Sequence, residues 1–212
     1  MRAVRLAAGI ALAVLALVGA GVAFTLIRLG ESPRAALSAA PYRGSQPPAG
    51  IHAPDFALRS YRGSLVTMRG LRGKVVPVTF LDTACRDKCP IIAAAIGAGV
   101  SILARSERAR VHAVAISVLP QVDTSSRVRT FLRKRHALGR LDWLISPVSQ
   151  LPGVWKAFSI LSASQTGNAS SHSADVRIFD RGGIWVSTLH AGVDLTPRNL
   201  AHDIRLAPRV RA

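Results

Sequence analysis

The chain has 212 residues, 49% of them hydrophobic and 18% charged, which excludes a disordered protein and allows one domain with a sizeable core. The net charge is +17, but only 5% of the residues are aromatic and no groove-reading motif is present, so we predict no nucleic-acid partner.

The first element in chain order is an uncharged segment, Leu6–Ile27, that follows Arg2 and Arg5. Its 22 residues are enough for a helix that crosses a hydrocarbon core of about 30 Å. We interpret residues 1–28 as an uncleaved membrane anchor, which predicts a single-pass protein of the cell membrane with its domain on the extracytoplasmic side. Cleavage of a signal peptide after Ala23 is the alternative.

The next segment, residues 29–50, is rich in Pro, Gly, Ala and Ser and poor in large apolar side chains. This composition is typical of a flexible linker. We therefore predict that a globular domain occupies residues 51–212.

The domain sequence predicts an α/β fold, because strand-like and helix-like patterns alternate along it. The predicted strands are 56–60 and 64–68 as a hairpin, 75–81, 111–118, 141–145, and 175–179 with 184–189 as a second hairpin. The predicted helices are 91–105, 125–137, 148–158 and 196–206. This order predicts a mixed sheet flanked by helices.

The only two cysteines, Cys85 and Cys89, follow directly after the predicted strand Val75–Leu81. If a helix starts at about Cys85, the two sulfurs lie on one helical face, with Cα atoms about 6 Å apart. Such a pair can close a reducible disulfide or bind one soft metal ion as thiolates. A structural disulfide, or two unrelated buried cysteines, is the simpler alternative.

The element order, with a dithiol after a central strand, resembles the thioredoxin fold. The segment TACRDKCP resembles the motif T-x-C-P-D-x-C-P of the Sco/SenC family, copper-binding assembly factors for cytochrome c oxidase. The family pattern is matched at Val78, Thr79, Phe80, Thr83, Cys85, Asp87, Cys89 and Pro90. A second family pattern, D-H-S-x-x-x-x-L-x-D, is matched at His172, Ser173 and Asp180. The chain departs from both patterns, with Arg86 and Lys88 between the cysteines and Ser171 before the histidine.

The resemblance implies that Cys85, Cys89 and His172 are the ligands of one copper ion, Cu(I) or Cu(II). Two thiolates and an imidazole suit Cu(I) better than they suit a hard cation. The implied partner is the copper-receiving subunit of the oxidase. We interpret the other five histidines, His52, His112, His136, His190 and His202, as ordinary surface or core residues.

An enzymatic function remains open beside the copper function. In a thiol–disulfide oxidoreductase, Cys85 at the helix start would attack a partner's cysteines and Cys89 would resolve the mixed disulfide. A peroxidase of the peroxiredoxin kind is less well supported, because the proline expected ahead of the threonine and cysteine is absent.

The segment Arg127–Arg135 predicts a strongly basic helix. We interpret it as a solvated face, and two further roles stay open, contact with anionic lipid and docking of an acidic partner domain.

Overall fold

The alternating patterns of the sequence become the strands and helices of one mixed α/β unit. The computed structural model describes residues 41–160 and 174–207. The strands are β1 (Ala57–Arg59), β2 (Leu65–Thr67), β3 (Val76–Leu81), β4 (Ala113–Ser117), β5 (Leu141–Leu144), β6 (Asp175–Phe179) and β7 (Trp185–His190). The helices are α1 (Lys88–Ile102), α2 (Arg105–Arg108), α3 (Ser125–Lys134), α4 (Leu151–Ala157) and α5 (Pro197–Leu206).

Strand β3 is the centre of the main sheet, whose order is β5-β4-β3-β6-β7. It runs parallel to β4 and antiparallel to β6, and all six of its residues are buried. Because both faces of β3 are covered, its sequence is an almost continuous apolar run. The predicted mixed sheet flanked by helices is confirmed.

Side chains that alternate along the strands divide the core between the two faces of the sheet. Val78 and Phe80 pack in a cluster with the β1–β2 hairpin and α4. Leu81 packs in a second cluster with α1, α3 and α5. The sheet is therefore covered by helices on one face and by a hairpin with a short helix on the other.

The predicted elements agree with the structure apart from a few boundaries. The predicted helix 148–158 is a 3₁₀ turn, Val148–Gln150, followed by α4. Pro152 stands in the first turn of α4, where its missing N–H costs least, and it could not lie further inside an α-helix. The one-turn helix α2 was not predicted, and the Glu107 carboxylate stabilises its start by accepting the N–H of Ala104.

The domain begins before the predicted end of the linker at residue 50, because the compact unit starts at Pro41. The backbone N–H groups of Arg43 and Gly44 donate to the buried carboxylate of Asp203 at 2.7 and 3.0 Å. Ser45 pairs with Thr188 of β7. Residues 43–45 are therefore hydrogen-bonded to the folded domain.

The predicted anchor, residues 1–28, and the first part of the predicted linker, residues 29–40, lie outside the described residues. Within residues 41–160 and 174–207, none of the helices has the length and hydropathy of a membrane span.

Candidate metal centre

The loop that follows β3 is shaped by Asp82, the first residue after the strand. Asp82 is fully buried, and its Oδ1 accepts hydrogen bonds from the N–H groups of Ala84 at 2.9 Å and Cys85 at 2.6 Å. A side chain that accepts hydrogen bonds from the backbone two and three residues ahead stabilises a turn. The turn holds Cys85 just ahead of α1.

The two cysteines are close, but they do not lie on one helix as predicted. Helix α1 begins at Lys88, so Cys89 is in its first turn and Cys85 is in the preceding loop. The expected helix start at about Cys85 was wrong, because Pro90 has no N–H to donate to the carbonyl of Arg86 and is tolerated only in the first turn of a helix, which it occupies when α1 begins at Lys88. The N–H of Cys89 instead donates to Sγ of Cys85 at 3.4 Å, a contact that favours negative charge on that sulfur.

The environments of the two sulfurs differ. Both cysteines are thiols, with Cys85 partly exposed and Cys89 buried. A hydrogen bond with Cys85, together with burial, raises the pKa of Cys89 far above its ordinary value. Cys89 therefore keeps its proton at neutral pH until a metal ion or a reaction removes it.

Asp82, Cys85 and Cys89 together form a potential metal site. One ligand atom from each residue lies within 4.8 Å of the ligand atoms of the other two. Two sulfur ligands fit a soft ion such as Cu(I), and a carboxylate oxygen adds a ligand that Cu(II) accepts. The donor set therefore fits copper in both oxidation states.

Asp82 is the member of this group that the sequence analysis missed. It lies directly before the quoted segment TACRDKCP, three residues before Cys85 and directly after a buried strand. An acidic residue at the end of a central strand, next to a dithiol, is the signal that could have identified it.

A second buried carboxylate, Asp123, fixes the other side of the loop. Its Oδ1 accepts the N–H and the hydroxyl of Thr83 at 2.8 and 2.7 Å, and its Oδ2 accepts the hydroxyl of Ser117 at 2.6 Å. Burial raises the pKa of Asp123, and these hydrogen bonds oppose that rise. The loop before Cys85 is thus tied to the end of β4.

A groove of about 510 Å³ opens beside Cys85, between the cysteine loop and α3. Its lining includes Cys85, Arg86, Arg127, Phe131, Lys134 and Arg135. The more exposed of the two sulfurs therefore faces a basic concave surface.

The predicted third ligand, His172, lies outside the described residues, so its place at the site stays a prediction. Among the residues that the structure describes, no histidine joins the group of Asp82, Cys85 and Cys89. His112 lies 3.3 Å from a carboxylate oxygen of Asp142, and His202 lies 3.0 Å from one of Asp203.

Comparison with protein families places the chain among known sequences. A family model described as SCO1/SenC matches residues 44–207, which include the whole described sheet and the cysteine loop. No curated protein matches the chain.

Solved structures with this fold include Bradyrhizobium japonicum ScoI with copper bound, which is 24% identical with a TM-score of 0.63. That match covers 74% of this chain and 99% of the other. Yeast Sco1 with copper bound is 18% identical with a TM-score of 0.63, over 76% of this chain and 90% of that one.

A third structure belongs to BsSco, described as a member of the Sco family of cytochrome c oxidase assembly proteins in which a disulfide switch was identified. It is 20% identical with a TM-score of 0.64, and the match covers 79% of this chain and 99% of BsSco. These likenesses confirm the predicted thioredoxin-like fold. The family model matches well over half of the chain, so the chain belongs to the SCO1/SenC family.

Proposed function

We propose that this protein binds one copper ion outside the cytoplasm and delivers it to the copper centre of cytochrome c oxidase. The observation that carries the proposal is the convergence of Asp82, Cys85 and Cys89 within 4.8 Å in a chain of this family. The copper-bound structures of Bradyrhizobium ScoI and yeast Sco1 support the choice of metal.

The cysteines bind the copper as thiolates, and their environments assign them different parts in its transfer. Cys85 is partly exposed beside a groove, so an incoming ligand reaches the copper from its side. Cys89 is buried and releases a proton when it binds the metal. Copper is the cargo, and it leaves by exchange of these ligands for those of the receiving subunit.

His172 completes the ligand set in this proposal, and the sheet supports that assignment. Strand β6 begins at Asp175, three residues after His172, and the backbone oxygen of Asp175 accepts a hydrogen bond from Thr79 of β3 at 2.7 Å. Thr79 lies three residues before Asp82 on the neighbouring strand. The chain therefore enters β6 at the end of the sheet where the cysteine loop leaves β3.

The anchor at residues 1–28 keeps the domain at the outer face of the cell membrane in this proposal. The support is the uncharged segment Leu6–Ile27, which is long enough to span a bilayer. A tether of this kind raises the local concentration of the protein near a membrane-bound oxidase.

Copper stoichiometry on the full-length chain in a non-ionic detergent tests the metal assignment. We expect about one Cu(I) per chain, and loss of binding in Cys85→Ser and in Cys89→Ser, because each removes a thiolate ligand. His172→Ala should weaken binding at least about tenfold. His52→Ala, which removes an exposed histidine, is the matched control and should bind as the wild type does. Full affinity in His172→Ala would remove that histidine from the site.

A second candidate function, thiol–disulfide exchange, is favoured by the asymmetry of the two sulfurs. Cys85 is accessible and receives an N–H, as an attacking thiolate does, whereas Cys89 is buried with a raised pKa, as a resolving thiol can be. Cys85 would attack a partner disulfide and release one partner thiolate. Cys89 would then lose its proton, attack the sulfur of Cys85 and release the second, so that the partner gains two electrons and this chain ends with a Cys85–Cys89 disulfide.

Trapping the mixed disulfide distinguishes this second function from the first. In a Cys89→Ser variant the covalent adduct through Cys85 should accumulate without copper, because no thiol resolves it. A variant that forms no adduct with any disulfide-bearing oxidase subunit would exclude the exchange reaction.

A further inference from the structure

The basic helix that the sequence singled out has a place in the structure that copper binding alone does not explain. Four cations line the groove beside Cys85, namely Arg86 from the cysteine loop and Arg127, Lys134 and Arg135 from α3 and the residue that follows it. Arg127 and Lys134 are two helical turns apart and lie on the same face. These four cations therefore form one surface along the groove.

These four cations make no ion pair within the described part of the chain. None of the four cations has a carboxylate within 4.0 Å in the described ranges, and Asp87 and Asp123, the acids nearest in sequence to Arg86 and Arg127, do not line the groove. The residues outside those ranges contain one acidic side chain, Glu31. The groove is thus a concentrated positive field that an external anion can complement.

The wall of the groove that α3 provides combines charge with an apolar surface. The Arg135 guanidinium lies 5.9 Å from the centre of the Phe131 ring, a cation–π distance that holds the arginine against the aromatic face. The ring itself packs edge-on against Trp143 in the core. An arginine held over an aromatic ring, beside further cations, suits a ligand that is anionic but has apolar parts, as an acidic peptide has.

We infer that this groove docks an acidic peptide segment of a partner protein and holds it beside the sulfur of Cys85. The inference rests on the proposed function, since it identifies which surface of the copper-receiving partner meets the site. An acidic segment pairs with Arg127, Lys134 and Arg135, and a metal-binding side chain within it then reaches the copper held at Cys85. Copper passes by ligand exchange without a change in oxidation state.

The shape of the surface favours a peptide over a lipid headgroup layer. The cations lie around a concave volume of about 510 Å³ that also includes backbone and side chains of the cysteine loop. A flat membrane surface would use the outward cations of α3 equally, and Arg129 and Arg133 do not line the groove. These two exposed arginines provide a matched control on the same helix.

The test compares two double variants of the full-length chain in a non-ionic detergent, R127Q/K134Q in the groove and R129Q/R133Q outside it. Both lose two positive charges from α3. The probe is a short fluorescent peptide rich in Asp and Glu, with serine in place of cysteine so that binding is non-covalent. A matched peptide with Asn and Gln at the acidic positions is the neutral probe, and the readout is fluorescence anisotropy at low and at high salt.

We expect the acidic peptide to bind the wild type, and the groove variant to bind it about five- to tenfold more weakly, because two ion pairs are lost. The control variant should change by less than about twofold, and added salt should weaken binding. Equal losses in the two variants, or equal binding of the neutral peptide, would overturn the inference. The inference would also be overturned if the acidic peptide does not bind and short-chain phosphatidylglycerol binds in a way that depends on Arg127 and Lys134.

Copper stoichiometry of the same proteins separates this inference from the proposed function. R127Q/K134Q keeps all the proposed ligands, so it should bind copper as the wild type does. A wild type that binds the acidic peptide through the groove but no copper would leave the docking surface standing and overturn the copper function.

Discussion

Asp82 has the most specific task of any single residue at the site, because one buried carboxylate both shapes the loop and faces the sulfurs. Its Oδ1 holds the N–H groups of Ala84 and Cys85, and a ligand oxygen lies within 4.8 Å of both cysteine sulfurs. An amide at this position can accept the same N–H groups but carries no negative charge.

We therefore expect Asp82→Asn to fold normally but to bind Cu(II) more weakly, with a smaller effect on Cu(I), which depends on the thiolates. Asp82→Ala should also lower the free energy of unfolding, by about 0.5–1.5 kcal/mol, because two partly buried hydrogen bonds to the loop are lost. Competition titrations for each oxidation state, with thermal unfolding, measure both effects. A loss of Cu(I) and Cu(II) affinity to the same extent in Asp82→Asn would contradict the division of roles.

Asp123 makes the stability of the protein depend on pH. The direction of this dependence follows from the direction in which the pKa of Asp123 is shifted. Burial raises its pKa in the folded state above the ordinary 3.8, so the folded state holds this proton more tightly than the unfolded state does. Its contribution to stability is present at low pH and is lost as the pH rises through the folded-state pKa. An uncharged amide avoids that loss.

The Tm of Asp123→Asn relative to the wild type should therefore rise as the pH is raised from about 4 to 7. Circular dichroism melts across this range provide the measurement. Asp55→Asn, at a largely exposed carboxylate, is the control and should show a smaller trend. If the difference in Tm between Asp123→Asn and the wild type does not vary with pH, burial of the charged carboxylate does not destabilise the fold at this position.

At the scale of elements, helix α1 depends on small residues where other segments approach it. A Cβ placed on Gly97 would lie 2.7 Å from the backbone oxygen of His136 and 2.9 Å from Cα of Ala137. Backbone cannot move aside as a flexible side chain can. Gly153 in α4 is the opposite case, since a Cβ there would meet nothing within 4 Å.

Gly97→Ala should accordingly destabilise the protein by about 1–3 kcal/mol through overpacking. Gly153→Ala should stabilise it by up to about 1 kcal/mol, because alanine has the higher helix propensity and fewer conformations when unfolded. Chemical unfolding of both variants beside the wild type measures the difference. Similar effects of the two substitutions would mean that α1 does not pack as closely as described.

The elements were predictable where burial dominates and less so where side chains bind the backbone. The apolar run of β3 and the Thr196 cap of α5, which accepts the N–H of Asn199 at 3.1 Å, follow directly from the sequence. The start of α1 was missed because the spacing of the cysteines carries no information about Pro90, which lies in the first turn of the helix and has no N–H for a turn before it. Of the site, the two cysteines were predictable from their spacing, and Asp82 was missed because a lone carboxylate has many ordinary roles.

At the scale of the whole molecule, the first described residues are joined to the last helix by contacts that no local pattern encodes. The carboxylate of Asp203 binds the N–H groups of Arg43 and Gly44 about 160 positions away, and it also accepts the hydroxyl of Ser187 at 2.6 Å. Composition alone gives no sign of these contacts. The same long-range topology brings the cysteine loop and the start of β6 to one end of the sheet.

The most direct test of the copper site is X-ray absorption at the copper edge, on the full-length chain loaded with one Cu(I). We predict two sulfur ligands and one nitrogen ligand in the wild type, and loss of the nitrogen in His172→Ala with both sulfurs retained. A spectrum with no sulfur ligands, or one that is identical in the wild type and in His172→Ala, would contradict the assignment of Cys85, Cys89 and His172 as the copper ligands.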